Sequence, residues 1–337
     1  MTASPRATRV PAATAAPRRA AGPGRDAGPG RDAAPRREWL ASFQVAVRLT
    51  LSVHRRGGGD PAHRVDAAGA VWRTSLTPDG PGTVRITSRR APGGTLVTGQ
   101  AWGPGAEWLL DKLPAQVGSH DDKSGFVAQD LVVRELASRY EGLRVGRTGR
   151  VFEALVPAVL EQKVVGHEAH RAWRILLREY GEKAPGPAPD GMRVFPSPQV
   201  WAHIPSWDWH RAGVEGVRAR TIIAAAQVAS RLEQVLDLDP VEADRRLRSI
   251  PGIGPWTSAE IRQRAAGDPD AVSVGDYHLP KMVGWALAGQ ITDDAGMLEL
   301  LEPYAGHRYR VTRLIELGGS HPPRRGPRMP VRDYRGF

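Results

Sequence analysis

Apolar positions near the amino terminus alternate in short segments, a spacing typical of β-strands. "FQVAVRLTLSV" (Phe43–Val53), "AVWRTSLTP", "GTVRITSRR" and "GTLVTGQAWG" all have this pattern, and Gly, Pro and Asp turns separate them. One helix is predicted at "GAEWLLDKLPAQV". The pattern predicts a strand-rich α+β amino-terminal domain over residues 38–122.

After this region the apolar spacing changes to three and four residues, which is typical of helices. "VFEALVPAVLEQKVVGHEAHRAWRILLREYG" (Val151–Gly181) begins the helical part, and a Pro-rich stretch, Pro185–Pro198, interrupts it. Further helices are predicted at "GVRARTIIAAAQVASRLEQ", "PVEADRRLRSI", "YHLPKMVGWALAG" and "MLELLEPYAGHRYRVTRLIELGG". The predicted fold is mostly α with an α+β amino-terminal domain, and residues 123–320 form the helical body.

Both ends of the chain are basic and poor in apolar residues. Residues 1–37 contribute +6 and residues 321–337 contribute +4 to a net charge of +11, so the central part is nearly neutral. We expect a disordered basic arm at 1–37 and a basic Pro/Arg-rich tail at 321–337. A solvated arm and a weak DNA tether both stay open.

Composition excludes several classes of function. The chain has no cysteine, which excludes disulfides, thiol catalysis and cysteine-ligated metal sites. It has no apolar run near twenty residues and no secretory signal, so we expect no membrane contact and a cytoplasmic location. His167 and His170 lack a third ligand, and no metal site is predicted.

The segment "LRSIPGIGPWTSAEI" (Leu247–Ile261) predicts a helical hairpin. One helix ends near Ile250, a Gly-containing turn follows, and Pro255 opens a second helix, where its missing N–H costs no hydrogen bond. Ile253, between two glycines, is expected to anchor the turn in the core.

The same turn is suited to DNA phosphates. Glycines at 252 and 254 allow close approach of the backbone, and amides at a helix start attract phosphate oxygens. Such contacts position a protein on DNA without reading its sequence. A purely structural turn is the alternative. The predicted DNA-binding residues of the hairpin are Gly252, Ile253, Gly254, Pro255, Thr257 and Arg248.

Asp276 lies in "AVSVGDYHLPKMVGWAL", fifteen residues after the hairpin motif ends at Ile261. It is expected to begin a helix, where aspartate is a favoured cap. The helix dipole favours the ionised carboxylate at such a position. Capping alone would explain the residue, but it also leaves a fixed negative charge available for chemistry.

"IPGIGPWTSAEI" followed by "VSVGDYHLPK" resembles the helix-hairpin-helix DNA glycosylases, and within them the 3-methyladenine DNA glycosylase II branch. "FEALVPAVLEQKV", "FPSPQVWA" and "GVRARTIIAAAQ" resemble other helices of that branch, and the resemblance covers roughly residues 40–320. It implies two helical lobes with Asp276 in the cleft between them.

The resemblance further implies a monofunctional DNA glycosylase of base excision repair. Its substrate would be double-stranded DNA with damaged bases, and it would cut the N-glycosidic bond of alkylated bases such as 3-methyladenine after base flipping. Asp276 would be catalytic, because a carboxylate beside C1′ stabilises the positive charge that develops on the sugar. Bifunctional members have a lysine where this chain has Trp256, so no lyase activity is expected.

Aromatic rings suit a cationic base, and Trp256 and Tyr277 are the candidates for its pocket, although either residue could belong to the core. Three positions depart from the family pattern. Lys163 stands where a hydrophobic DNA-probing wedge is common, and its stem could fill space while its amine meets phosphate. His307 replaces an aromatic expected to face the aspartate. Glu260 replaces a second pocket aromatic, and either binds a base or lies on the helix surface.

The resemblance implies no required cofactor and leaves open a monovalent cation at the hairpin turn. It also implies association with the nucleoid, and no protein partner can be inferred. Three alternatives stay open: a glycosylase for deaminated, oxidised or bulky alkyl bases; a non-catalytic helix-hairpin-helix damage-binding protein; and a helical scaffold that does not bind DNA.

Overall fold

A computed structural model describes residues 34–323. Its amino-terminal part is an antiparallel five-stranded sheet with the strand order β1-β5-β4-β3-β2. The strands are β1 (Arg36–Ala41), β2 (His63–Val65), β3 (Val71–Thr77), β4 (Gly80–Ala91) and β5 (Gly94–Trp102). Thus β1 begins inside the segment expected to be a disordered arm. The remainder of that arm, and the tail from residue 324, lie outside the described residues.

The predicted strand over Phe43–Val53 is wrong. This segment forms helix α1 (Val47–Thr50) and a 3₁₀ turn, Leu51–His54. Its buried positions include Val47 and Leu51, four residues apart as on one helix face. A short apolar run can satisfy both periods, and here the tertiary contacts select the helix. The other three predicted strands and helix α2 (Ala106–Gln116) are confirmed.

The carboxy-terminal part is helical, as predicted. Its helices are α3 (Leu131–Arg139), α4 (Val151–Leu160), α5 (Gly166–Tyr180), α6 (Pro198–Ala202), α7 (Ser206–Ala212), α8 (Gly216–Gln227), α9 (Ala229–Glu233), α10 (Pro240–Arg248), α11 (Pro255–Ile261), α12 (Leu279–Ala288), α13 (Asp294–Leu301) and α14 (Arg308–Gly318). A π-helical turn, Arg262–Ala266, continues α11. The last predicted helix is two helices, because Pro303 and Gly306, at φ +88°, interrupt it.

The three largest apolar cores of residues 34–323 organise these elements. The sheet packs on α2 through residues such as Leu109 and Leu113. A first helical lobe packs α4 to α11 around residues such as Leu155 and Trp201. A second lobe joins α3 with α12, α13 and α14 around residues such as Val283. The two lobes match the arrangement that the resemblance implies.

Buried polar contacts tie the sheet domain to the first lobe. Ser75 Oγ donates to Glu153 Oε2 at 2.6 Å, and Arg56 Nε lies 3.4 Å from Glu161 Oε1. From the helical side, Arg264 Nε donates to the Val53 carbonyl at 3.3 Å. These groups fix the position of α4 relative to the sheet, since a buried polar group requires a partner.

Within residues 34–323, no helix has both the length and the apolar character needed to span a membrane.

Candidate active site

The predicted hairpin is present between α10 and α11. α10 ends at Arg248, and the N–H of Ile253 closes the turn on the Ile250 carbonyl at 3.0 Å. Ile253 is buried, which confirms the expected anchor, and Pro255 is the first residue of α11. The sequence predicts this unit correctly because each of its signals acts locally in the chain.

The two glycines of the turn serve different purposes. Gly252 has φ +92°, and a Cβ there would lie 2.0 Å from Thr221 Oγ1 of α8, so the turn itself requires glycine. Gly254 has an ordinary φ of −96°, and a Cβ there would have nothing within 4 Å. No contact in the described residues requires glycine at position 254.

Asp244 of α10 accepts hydrogen bonds that connect the two helices of the hairpin. Ser258 Oγ donates to Asp244 Oδ1 at 2.7 Å, and Arg248 Nη1 donates to Asp244 Oδ2 at 3.1 Å. Arg248 remains half exposed, with 48% of its side chain accessible. Thr257, by contrast, is buried as a whole residue, and its role in DNA binding stays a prediction.

Asp276 lies two residues before the N-cap of α12, His278, rather than at the helix start itself. Its Oδ1 nevertheless accepts from the main-chain N–H groups of His278 at 2.7 Å and Leu279 at 2.8 Å, which is how a capping carboxylate acts. Its Oδ2 accepts from Trp256 Nε1 at 3.0 Å. Three N–H donors therefore fix the position of the carboxylate.

The hydrogen bond between Trp256 and Asp276 joins the two helical lobes. The Trp256 ring packs against the core of the first lobe, while Leu279, next to the cap, is buried in the core of the second. Asp276 is only partly buried, and it lies where the lobes meet.

Tyr277 and His307 have contacts of their own. The Tyr277 ring is 74% exposed, and Lys281 Nζ lies 3.5 Å from its centroid. The His307 ring meets Phe126 edge-on at 5.5 Å between centroids. Pocket roles for Trp256, Tyr277 and His307 stay predictions.

Glu260 is buried, so its alternative placement on the helix surface is wrong. Its carboxylate accepts from Ser273 Oγ at 2.7 Å and pairs with Arg264 Nη1 at 2.8 Å. Burial raises the pKa of Glu260, and the Arg264 charge opposes that change. A role in base binding stays a prediction, and these inward contacts lend it no support.

Lys163, the predicted probing residue, is exposed in the turn after α4. The sequence prediction missed the residue before it, Gln162, whose amide reaches both Gly252 and Thr257. The available signal was the polar triplet Glu-Gln-Lys, which interrupts the apolar run "VLEQKVV".

Glu161, the first residue of this turn, is an ion-pair partner of Arg56 and His170. Burial works against its charge, yet the Arg56 guanidinium and a hydrogen bond from His170 lower the pKa of Glu161 to about 2. The first residue of the turn, Glu161, is therefore kept ionised by its partners Arg56 and His170.

A monovalent cation at the hairpin turn stays a prediction. The carbonyl oxygens of Ile250 and Gly252 accept one hydrogen bond each and keep a second lone pair, so they are donors of the right type.

Comparison with known proteins identifies relatives in sequence and in fold. The chain is 33% identical over 152 residues to a protein of Mycobacterium tuberculosis described as a probable bifunctional transcriptional activator/DNA repair enzyme AlkA. The match covers 44% of the chain and 30% of that protein, so the chain matches under a third of the length of this curated relative. No family model matches the chain.

Among solved structures, a 3-methyladenine DNA glycosylase from Archaeoglobus fulgidus matches with a TM-score of 0.69 at 19% identity, over 83% of this chain and 97% of that one. An 8-oxoguanine glycosylase/lyase from Clostridium acetobutylicum, in complex with double-stranded DNA, matches with a TM-score of 0.63 at 13% identity, over 85% and 97%. The chain therefore has the fold of the helix-hairpin-helix DNA glycosylases, which confirms the resemblance seen in the sequence.

Proposed function

We propose that this chain, with its helix-hairpin-helix glycosylase fold, is a monofunctional DNA glycosylase that removes alkylated bases such as 3-methyladenine in base excision repair. The observation that carries the proposal is the Asp276 carboxylate, fixed by three N–H donors where the two lobes meet. The matched Mycobacterium and Archaeoglobus proteins, described as a DNA repair enzyme and a 3-methyladenine DNA glycosylase, support it.

The chemistry needs a fixed negative charge more than it needs an acid. Breaking an N-glycosidic bond develops positive charge on the sugar, and an oriented carboxylate beside C1′ stabilises that charge. An alkylated purine with a formal positive charge is already a good leaving group, so one carboxylate suffices. Because its cap and the Trp256 indole hold Asp276 in place, little reorganisation is needed at the moment of reaction.

Double-stranded DNA is the proposed partner, and the hairpin is its proposed contact. Gly254 leaves open space at the turn, and the first N–H groups of α11 have no acceptor within the helix. Phosphate oxygens fit such groups, and Arg248 adds charge at the edge of the hairpin. Location in the cytoplasm with the nucleoid is part of the same proposal.

Strand cleavage is not part of the proposed activity. A lyase of this superfamily attacks C1′ with a lysine amine, and the corresponding residue here is Trp256, whose indole cannot form a Schiff base. Its N–H instead donates to Asp276. We expect product DNA to remain uncut until it is treated with alkali.

The experiment is base release from methylated duplex DNA by the full chain and by its Asp276→Asn variant. Asp239→Asn is the matched control, because Asp239 also caps a helix by accepting two main-chain N–H bonds. We expect wild type and the control to release methylated purines, and Asp276→Asn to lose at least about a hundredfold in rate.

Equal release by wild type and Asp276→Asn would refute the catalytic assignment. DNA binding without release from the methylated duplex would refute 3-methyladenine as the substrate. A panel of deaminated, oxidised and bulky alkyl lesions would then separate a glycosylase for another base from a non-catalytic damage-binding protein.

A further inference from the structure

The amide of Gln162 connects the turn after α4 to the hairpin, which lies 90 residues later in the chain. Gln162 Nε2 donates to the Gly252 carbonyl at 2.9 Å and to Thr257 Oγ1 at 2.8 Å. Gly252 belongs to the hairpin turn, and Thr257 follows Trp256, the donor to Asp276. One side chain thus contacts both the hairpin turn, which is the proposed DNA contact, and α11, whose Trp256 donates to the proposed catalytic carboxylate.

The next residue, Lys163, has an unusual backbone. Its φ is +53°, the one positive value at a residue other than glycine in residues 34–323. Residues other than glycine rarely adopt this backbone conformation, and it persists where the surrounding structure enforces it. The Lys163 side chain is exposed, so what is enforced is the direction in which it is presented.

The residues before Gln162 are also held in place by contacts with other segments. Arg218 Nη1 donates to the Leu160 carbonyl, the last of α4, at 2.8 Å. Glu161 faces Arg56 of the sheet domain at 3.4 Å. With Gln162 held by the hairpin, each residue from Leu160 to Gln162 has a partner on a different segment of the chain.

We propose that Gln162 is a positioning residue that ties the Lys163 turn to the hairpin, so that gripping the DNA backbone and filling the space left by the flipped base occur together. This inference rests on the proposed function. Its physical basis is the cost of unstacking a base, which is offset only if another group occupies the gap while the backbone is held. A turn free to move relative to the hairpin would do this less well.

The test is a double-mutant cycle in the full chain. Gln162→Met keeps the length of the side chain and removes both donors, and Lys163→Ala removes the presented side chain. The readout is the single-turnover rate of base release from a lesion-containing duplex. We expect each single variant to be about tenfold slower than wild type, because Gln162→Met loses two hydrogen bonds and Lys163→Ala loses the side chain presented to the DNA. We expect the double variant to be no slower than Lys163→Ala within about twofold, because coupled residues are not additive.

Two further readouts separate positioning from a general loss of structure. Affinity for undamaged duplex should change less than about twofold in Gln162→Met, because the hairpin amides remain. Gln129→Met is the matched control: Gln129 Nε2 donates to the Pro303 carbonyl at 3.3 Å, so the same chemical change is made at another carbonyl. Its rate should equal that of wild type.

A wild-type rate for Gln162→Met, or a double variant slowed by the product of the two single effects, would overturn the inference while leaving the glycosylase proposal intact. If wild type releases no base, the proposed function fails on its own. The cycle is then read from the fluorescence of 2-aminopurine placed beside the lesion, which rises as the stack opens. An equal rise in wild type and Gln162→Met would overturn the inference in that case too.

Discussion

Alanine substitutions at the two hairpin glycines should separate folding from DNA binding. The turn requires glycine at position 252, while a Cβ added at Gly254 would meet nothing within 4 Å. Gly252→Ala should therefore destabilise the protein, and Gly254→Ala should leave stability unchanged while it weakens DNA binding. The two changes add the same methyl group two residues apart.

The structure gives the expected magnitudes. At Gly252 an alanine must adopt φ +92° with its Cβ 2.0 Å from Thr221 Oγ1. The left-handed backbone alone costs about 1–2 kcal/mol, and with the overlap we expect a loss of about 2–4 kcal/mol in the free energy of unfolding. At Gly254 the backbone suits alanine, so the change in stability should lie between zero and about 1 kcal/mol in the stabilising direction.

The assays are urea unfolding and binding of a labelled duplex at fixed salt. Gly254→Ala should bind DNA about tenfold more weakly at unchanged stability, since a methyl group would stand where phosphates approach the main chain. Replacing Thr221 by alanine in the Gly252→Ala background should restore part of the lost stability by removing the overlap. Wild-type DNA affinity in Gly254→Ala would refute close approach at this turn, and wild-type stability in Gly252→Ala would refute the conformational argument.

Three further predictions concern single side chains. Trp256→Phe keeps a ring but removes the donor to Asp276, and should slow base release by about tenfold in single-turnover assays. Glu161→Gln should flatten the pH dependence of stability in acid, which urea unfolding at several pH values measures. The native pKa of about 2 lies below the unfolded value, so the Glu161 contribution of about 3 kcal/mol is present above pH 4.5 and is lost as pH falls towards 2. The logarithm of the DNA-binding constant falls as the logarithm of the salt concentration rises, and Arg248→Ala should make this slope less steep by about 0.9.

Each of these has its control and its contradicting result. Trp72→Phe removes the same kind of bond, from Trp72 Nε1 to Asp66 Oδ2 at 2.9 Å, and should leave the rate of base release unchanged; equal slowing in both variants would contradict a specific role for Trp256. A Glu161→Gln curve parallel to that of wild type would contradict the pKa argument. Exposed Arg139 of α3 is the control for Arg248, and equal salt slopes in the two alanine variants would contradict a phosphate contact at Arg248.

The hairpin and the helical body could be predicted from the sequence because their signals are local. A proline at the first helical position and an isoleucine between two glycines act within a few residues, and the structure places Pro255 and Ile253 as expected. The strand assigned to Phe43–Val53 failed for the opposite reason. Contacts with distant segments decide that region, such as the bond from the Ala46 N–H to the Gly142 carbonyl at 2.7 Å.

The candidate site shows the same division. Asp276 stands out in the sequence through its spacing from the hairpin, but its third donor, Trp256, is 20 residues away and only the fold reveals the bond. Gln162 lies in a polar triplet that is visible in the sequence, but its role depends on its partners Gly252 and Thr257, which only the fold reveals. Glu260 could not be assigned to the interior without its partners, Arg264 and Ser273.

The polar contacts between the sheet domain and α4 limit how this protein can be divided. A fragment beginning after the sheet domain would expose Glu153 without Ser75, and would leave Glu161 without Arg56 at the start of the turn that presents Lys163. The sheet domain therefore helps to position the turn that carries Lys163, which is part of the proposed DNA-binding surface. A sheet domain taken from a related protein should support function only if it has an arginine and a serine at the positions of Arg56 and Ser75.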